Sequence, residues 1–244
     1  MEKERYIRQI TLPGVGIEGQ EKLSRARVLV VGAGGLAAPV AYYLAAAGVG
    51  TLGLVDDDVV KLSNLHRQIL YRTEDLGQPK VEVARRTLEA LNPEVKVKVW
   101  RERLTEENAF SLVEEFDAVV DATDNFPTRA LLNRACVARR RLLVHGGVRN
   151  FAGEVMTILP GAGPCLACLF PLDREPVPGQ TEGSSILGPV PGVIGTLQAV
   201  EVLKYLLNLG ELLVGRLVVY DALSATFHEV QVTRNPSCPV CSKL

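Results

Sequence analysis

Apolar positions along this chain follow two alternating rhythms. Residues 28–31 (Val28-Leu29-Val30-Val31) are four apolar positions in a row, which suits a parallel strand covered on both faces. A glycine turn follows at 32–35. Residues 36–48 are an alanine-rich stretch of helical length that stops at Gly48, a residue that closes helices readily. The strand–helix alternation then recurs. Strands are predicted over 51–55, over 95–99 with Lys96 and Lys98 marking one wet face, over 117–121 and over 142–148. Helices are predicted between them: 78–92 with Pro79 in its first turn, 105–115 capped by Thr105 with Glu106 and Glu107 behind it, and 125–141. No helix separates 142–148 from a further strand at 153–159, so pairing turns antiparallel there. An amphipathic helix over 193–209 and a hairpin of 217–221 with 226–232 complete the pattern. Ahead of the first strand, 5–10 and 17–23 read as short helices, and Ser63 can cap another. Residues 173–188 are rich in Gly, Pro and Ser without periodicity, and read as a mobile loop.

The pattern predicts an α/β fold: a Rossmann-like, mostly parallel sheet with helices on both faces, continuing into antiparallel C-terminal strands. With no internal repeat or low-complexity linker, 1–244 reads as a single domain. It comprises an N-terminal arm (1–26), a nucleotide-binding half (27–150) and a smaller second half (151–244).

Composition alters this picture little. The 244 residues are 47% hydrophobic and 23% charged with a net charge of −1. That gives no reason to expect nucleic acid or a membrane as partner. No apolar run approaches the roughly 18 residues of a membrane span. The charged start Met1-Glu2-Lys3-Glu4-Arg5 is not followed by an apolar signal segment, so a cytoplasmic location is expected.

The candidate chemistry begins at the first turn. Gly32, Gly34 and Ala37 fill the G-x-G-x-x-G/A positions, with Gly35 between them. Such a turn brings backbone close to a phosphate at a helix N-terminus. Asp56 stands at the end of the second strand, 22 residues after Gly34. A carboxylate there holds ribose hydroxyls or, alternatively, belongs to a solvated acidic turn. Ser63-Asn64-Leu65-His66-Arg67-Gln68 adds amides and a guanidinium just beyond. Lys80 opens a helix, against the dipole preference; a bound polyphosphate would account for it, as would a plain surface lysine. Asp121 and Asp124 follow the fourth strand. Either is a candidate Mg²⁺ ligand beside phosphates, and Asp124 or Thr123 could instead cap the next helix.

Cys165-Leu166-Ala167-Cys168 and Cys238-Pro239-Val240-Cys241 can each place two thiolates on one ion, and together they give a closed, structural Cys₄ zinc site. It would staple the end of the chain to its middle. A redox pair is the competing reading. Cys136, among apolar neighbours, reads as core.

Taken in order, these landmarks resemble the MoeB/ThiF family, the ubiquitin-activating-enzyme-like adenylyltransferases of small sulfur-carrier proteins. The likeness covers nearly the whole chain. It rests on Arg5-Tyr6-x-Arg8-Gln9-Ile10, the Gly32–Ala37 turn, Asp56-x-Asp58 with Ser63-Asn64-Leu65-x-Arg67-Gln68, Gly77-Gln78-Pro79-Lys80, Asp121-x-Thr123-Asp124-Asn125, both cysteine pairs, and Gly192-Val193-x-Gly195-Thr196-Leu197-Gln198-Ala199. The resemblance implies ATP, Mg²⁺ and Zn²⁺ as cofactors. It implies that Asp56 holds ribose and that Asn64, Arg67, Gln68 and Lys80 address the phosphates. Asp124, beside Asn125, organises Mg²⁺. Arg8 reaches across a homodimer into the neighbour's site, which turns the arm from solvated to functional. The partner is a ubiquitin-like carrier ending in Gly-Gly, bound by the 151–244 half, in molybdopterin, thiamine or tRNA-thiolation pathways.

Relatives that form thioesters or persulfides carry a cysteine ahead of Gly188-Pro189; here Thr181 stands near that position. Covalent transfer is therefore not expected, nor is an appended rhodanese-like domain after Leu244. An NAD-dependent oxidoreductase would explain the glycine turn and Asp56 but not Arg67 and Lys80. A non-catalytic scaffold binding nucleotide and partner is at odds with intact Arg67, Lys80 and Asp124. Adenylation of a tRNA base is disfavoured by the near-neutral charge.

Overall fold

The computed structural model of the chain describes residues 2–170 and 185–243. Most of the loop expected at 173–188, Thr181 included, lies outside the described residues. The chain opens on a 3-10 turn (Lys3–Tyr6) that runs into α1 (Ile7–Ile10) and α2 (Gly16–Arg25). The alternating part follows: β1 (Arg27–Val31), α3 (Ala37–Ala46), β2 (Thr51–Val55), α4 (Lys80–Leu91), β3 (Lys96–Trp100), α5 (Ala109–Glu114), β4 (Ala118–Asp121), α6 (Phe126–Arg139) and β5 (Leu142–Arg149). Then come β6 (Ala152–Ile158), α7 (Leu166–Leu169), α8 (Pro189–Leu207), β7 (Arg216–Asp221) and β8 (Thr226–Gln231).

All eight strands form one sheet in the order β3-β2-β1-β4-β5-β6-β7-β8. Pairing is parallel from β3 to β5 and antiparallel from β5 to β8. The expected α/β class and the turn to antiparallel pairing after β5 are therefore both present. Successive side chains of a strand point to opposite faces, and here both faces are covered. Val28 and Val30 pack with α3, α4 and α8, while Leu29 and Val31 pack with α5 and α6. Full burial of each such side chain contributes about 1.5–3 kcal/mol, which explains why β1 is a run of apolar residues.

Several boundaries moved. α5 starts at Ala109, and Asn108 precedes it, accepting from Thr105 N at 2.8 Å; Glu106 and Glu107 belong to that turn. α8 starts at Pro189, earlier than the periodicity indicates, because Pro189 and Pro191 fall in the first turn, where a missing N–H loses no bond. Pro79 stands just before α4 and not inside it. Ser63 lies within a 3-10 turn, and Asn64 Oδ1 takes the Lys61 amide at 3.2 Å in the capping role.

By length and composition α8 is apolar enough to cross a membrane. It lies instead against the sheet and the α3 helix. Its Glu201 is buried, accepting from Thr157 Oγ1 at 2.6 Å and Leu213 N at 2.7 Å.

The strand order reverses between β1 and β4, and the crevice that ligands use in open α/β sheets opens at such a reversal. Gly32 leaves β1 there with φ +93°, and a Cβ on it would stand 2.6 Å from Ala122 O. Gly32→Ala is expected to lower stability by about 2–4 kcal/mol, the sum of left-handed strain and overpacking. Urea denaturation checks this; a change below 1 kcal/mol would show that the two strand ends can part.

Candidate active site

The turn after β1 is held on both sides. Gly32 N donates to Val55 O and Ala122 N donates to Val31 O, each at 2.9 Å, so the ladder continues one residue past the strands. Leu36, just before α3, supplies no side-chain cap; Ala38 N donates to Gly34 O at 3.2 Å and Pro39 has no N–H, which leaves the amides from Gly34 to Ala37 for a ligand. The cleft above them has a volume of about 1210 Å³ and is lined by the Gly32–Leu36 turn and by strand ends of β2, β4, β5 and β6. It exceeds the roughly 300–1,000 Å³ of common small-ligand pockets, leaving space beside a nucleotide.

Asp56 ends β2 facing this cleft. Its Oδ2 accepts from Ala33 N and its Oδ1 from Asp58 N, both at 2.7 Å. A carboxylate retains further lone pairs, so these bonds fix its direction without exhausting it. Asp56 is thus not a solvated turn residue; it ties β2 to the glycine turn. Tyr71 reinforces the tie by donating to Ala33 O at 2.7 Å.

Lys80 is only 5% exposed, and its Nζ lies 2.9 Å from Asp58 Oδ2. The surface-lysine alternative is therefore overturned. Lys61 holds the other Asp58 oxygen, also at 2.9 Å. Burial acts to raise the Asp58 pKa, but the bonds from Lys80 and Lys61 outweigh it and hold it down at about 2. Gln68 is buried, with no partner for Oε1. Its Nε2 lies 3.7 Å from where a Gly34 Cβ would stand, so an unpaired acceptor and a bare backbone share one wall. Asn64 is buried beside it. Arg67 lines the cleft, braced by Ser63 O at 3.1 Å and His66 Nε2 at 2.7 Å.

The two aspartates after β4 separate clearly. Asp121 is fully buried, with Thr123 N (3.0 Å), Thr123 Oγ1 (2.6 Å) and His145 Nδ1 (2.7 Å) on its carboxylate. It is no longer a candidate for Mg²⁺. Asp124 is exposed in the cleft, with Asn125 Nδ2 at 3.5 Å as its neighbour. Neither Asp124 nor Thr123 caps α6. Asn125 does, its Oδ1 accepting from Thr128 N at 3.0 Å, and this frees Asp124. Both Asp124 and Asn125 line the cleft.

Arg8 lies apart from these residues. It sits exposed on α1, makes no side-chain bond among the described residues and is not in the cleft wall of its own chain. Three residues that sequence reasoning passed over are present: Arg129 and Glu154 line the cleft, and His145 is buried behind it. The His145–Asp121 pairing depends on the β4–β5 register, which no spacing in the sequence encodes.

The four cysteine sulfurs Cys165, Cys168, Cys238 and Cys241 lie within 4.8 Å of one another. The nearest contacts run between the two knuckles, Cys165–Cys238 at 3.7 Å and Cys168–Cys241 at 3.5 Å. A tetrahedron with 2.3 Å zinc–sulfur bonds has edges of about 3.8 Å, whereas a disulfide needs about 2.05 Å. The set therefore fits zinc and not a Cys-x-x-Cys redox pair. Asn133 supports it, donating from Nδ2 to Cys165 Sγ at 3.6 Å and accepting from Leu166 N at 3.0 Å. Asn235 N points at Cys168 Sγ at 3.5 Å. Cys136 is buried in α6, as expected of core.

The chain matches the ThiF family over residues 6–240. It is 51% identical to a sulfur carrier protein adenylyltransferase of Thermus thermophilus, over 98% of this chain and 91% of the relative. It is 48% identical to a SAMP-activating enzyme E1 of Haloferax volcanii, over 98% and 89%. Among solved structures, MccB of E. coli with ATP superposes with a TM-score of 0.82 at 27% identity, covering 91% of this chain and 68% of that one.

Metal analysis is expected to find one zinc per chain. Cys168→Ser should lose it and lower the melting temperature by roughly 10 °C, as for loss of a cross-link closing a long loop. A protein that melts unchanged after chelation would defeat the structural-zinc reading.

Proposed function

The chain belongs to the ThiF family, and we propose that it is an adenylyltransferase. It activates the C-terminal Gly-Gly carboxylate of a small ubiquitin-like sulfur carrier with ATP, giving an acyl-adenylate and pyrophosphate. The observation that carries the reading is the meeting of Lys80, Arg67 and the exposed Asp124 carboxylate at the uncapped start of α3. The names of the two relatives support the carrier as substrate, and the ATP held by MccB supports the nucleotide. The same names weigh against an oxidoreductase.

The chemistry follows from charge. A free α-carboxyl has a pKa of about 3.3–3.7 and is already ionised at neutral pH, so its attack on the α-phosphorus needs no general base. Two anions must meet, and the barrier is lowered by positive charge and alignment. In this reading the Gly32, Gly34 and Gly35 turn cradles phosphate with the amides from Gly34 to Ala37. Asp56 takes ribose hydroxyls with its remaining lone pairs. Asn64 and Gln68 offer their amide N–H groups to phosphate oxygens. Lys80, already desolvated against Asp58, and Arg67 face the triphosphate. Asp124 would hold Mg²⁺, which when bound supplies further neutralisation of phosphate oxygens. The cleft continues along Gly147, Val148, Ala152 and Gly153, where the carrier's narrow tail would lie. Arg8, which makes no side-chain bond among the described residues, completes the neighbouring site of a homodimer.

ATP–pyrophosphate exchange with purified Gly-Gly-ending carriers of the same genome tests the activity. Exchange that depends on a carrier identifies the partner; no exchange with any of them would count against adenylation. Asp124→Ala should abolish exchange while keeping zinc content and melting temperature. Arg8→Ala should also be inactive. Mixed with Asp124→Ala and allowed to exchange subunits, it should recover about a quarter of the wild-type sites, since half of random dimers are mixed and each carries one intact site. Failure to complement would place Arg8 outside the partner's site.

A further inference from the structure

A set of charges in the cleft wall and buried behind it has no part in the chemistry above: Arg129 and Glu154 line the cleft, and Asp121 and His145 lie behind it. Asp121 ends β4, and His145 stands opposite it on β5. The imidazole Nδ1 lies 2.7 Å from Asp121 Oδ2, and Nε2 lies 3.5 Å from Glu154 Oε1 on β6. Both ring nitrogens face carboxylates, an arrangement satisfied only when each carries a proton. Arg129 on α6 is the second cation. Its Nε lies 3.6 Å from Asp121 Oδ2, and its Nη2 donates to Thr123 O at 2.8 Å and Gly146 O at 3.4 Å. Two cations and two carboxylates thus balance. Among the described residues the other neighbours are uncharged: Phe170 meets the imidazole edge-on, Gln198 on α8 donates to Asp121 O and Val144 O, and the Cys136 thiol on α6 is pushed up by burial and by Asp121. Burial acts to lower the His145 pKa, but the bonds to Asp121 and Glu154 outweigh it and hold it raised.

This frame grips one residue, Thr123, from both sides. Asp121 accepts the Thr123 amide and hydroxyl, and Arg129 donates to the Thr123 carbonyl. Asp124 is the next residue. Without the His145 proton, Asp121 would be a buried anion opposed only by Arg129, and the Nε2 lone pair would face Glu154.

We propose that protonated His145 is a positioning residue for adenylation: it fixes Asp121, and through the Thr123 peptide it sets where Asp124 stands in the cleft. The proposal rests on the role given to Asp124 above. It also carries a pH signature. Stability from His145 is fully present below the ordinary histidine pKa and is lost as pH rises through the raised folded value. Stability from Asp121 and Glu154, both lowered, is present above the ordinary carboxylate range and is lost as pH falls through the folded values.

Imidazole ¹⁵N NMR reads the charge without reference to activity. The chain has three histidines, and His66 and His228 are exposed. The third ring, that of His145, should carry both protons at pH 7 and keep them as pH rises further. A third ring with one proton at pH 7 would overturn the proposal. In pyrophosphate exchange, His145→Gln should lower the rate at saturating ATP by about 10²-fold, the scale of a small misplacement. Its rate should stay flat where wild type declines through the His145 titration. If this variant does not melt cooperatively, Glu154→Gln carries the test: the NMR titration and the alkaline decline should move to lower pH together, and an unmoved decline would overturn the proposal. Wild-type rates in His145→Gln would defeat this inference alone, whereas absence of exchange in wild type would defeat the adenylation reading itself.

Discussion

The reversal of strand direction between β1 and β4 is the constraint on which the site depends. Two parallel strands whose connections run away from each other leave a gap at their carboxyl ends. Here the gap is kept narrow at its base, since Gly32 passes Ala122 with no room for a side chain. Past Gly32 and Ala33, whose amides are taken by Val55 O and Asp56, the amides from Gly34 to Ala37 have no partner within the sheet. The cleft's carboxylates come from neighbouring strands, Asp56 after β2, Asp124 after β4 and Glu154 on β6, while Arg67 and Lys80 reach it from the segment between β2 and α4 and from the start of α4. The antiparallel extension from β5 to β8 adds the far wall.

The charges in that gap are arranged before any ligand arrives. Lys80 is removed from water yet paired with Asp58, and Arg67 is braced by a carbonyl and an imidazole. Groups already desolvated and directed need little reorganisation when an anion enters. Leaving a buried cation unpaired would be costly, and a lone partner is what keeps it tolerable. The same logic operates one layer deeper, where Asp121 is held by a histidine, a threonine and an arginine. The cleft therefore has a mobile-ligand side and a locked side, and Asp124 stands on the boundary between them.

Much of this was legible in the sequence because it is local. The apolar run of β1, the glycine turn, the missing helix after β5 and the two Cys-x-x-Cys pairs each announce themselves within a few residues. Helix starts were less legible. Thr105 and Asp124 have the composition of caps, yet Asn108 and Asn125 take those places, because capping depends on backbone direction as well as residue type. The burial of Lys80 was hidden, since its partner Asp58 lies 22 residues earlier and meets it only once α4 packs. Nothing in the residues next to it marks His145. Its place opposite Asp121 comes from strand register, which a single sequence does not display.

The four-cysteine cluster also carries a consequence for how the molecule is made. Its two knuckles are 70 positions apart along the chain, and closing a loop of that length removes about 4 kcal/mol of entropy from the unstapled chain. During synthesis, β1 to β5 and the whole glycine turn leave the ribosome before Cys238 and Cys241 exist. The parallel half can settle early, but the wall built from β6 to β8 can be latched only after Cys241 has emerged. Metal supply would therefore govern the closing of that wall and leave the parallel half untouched.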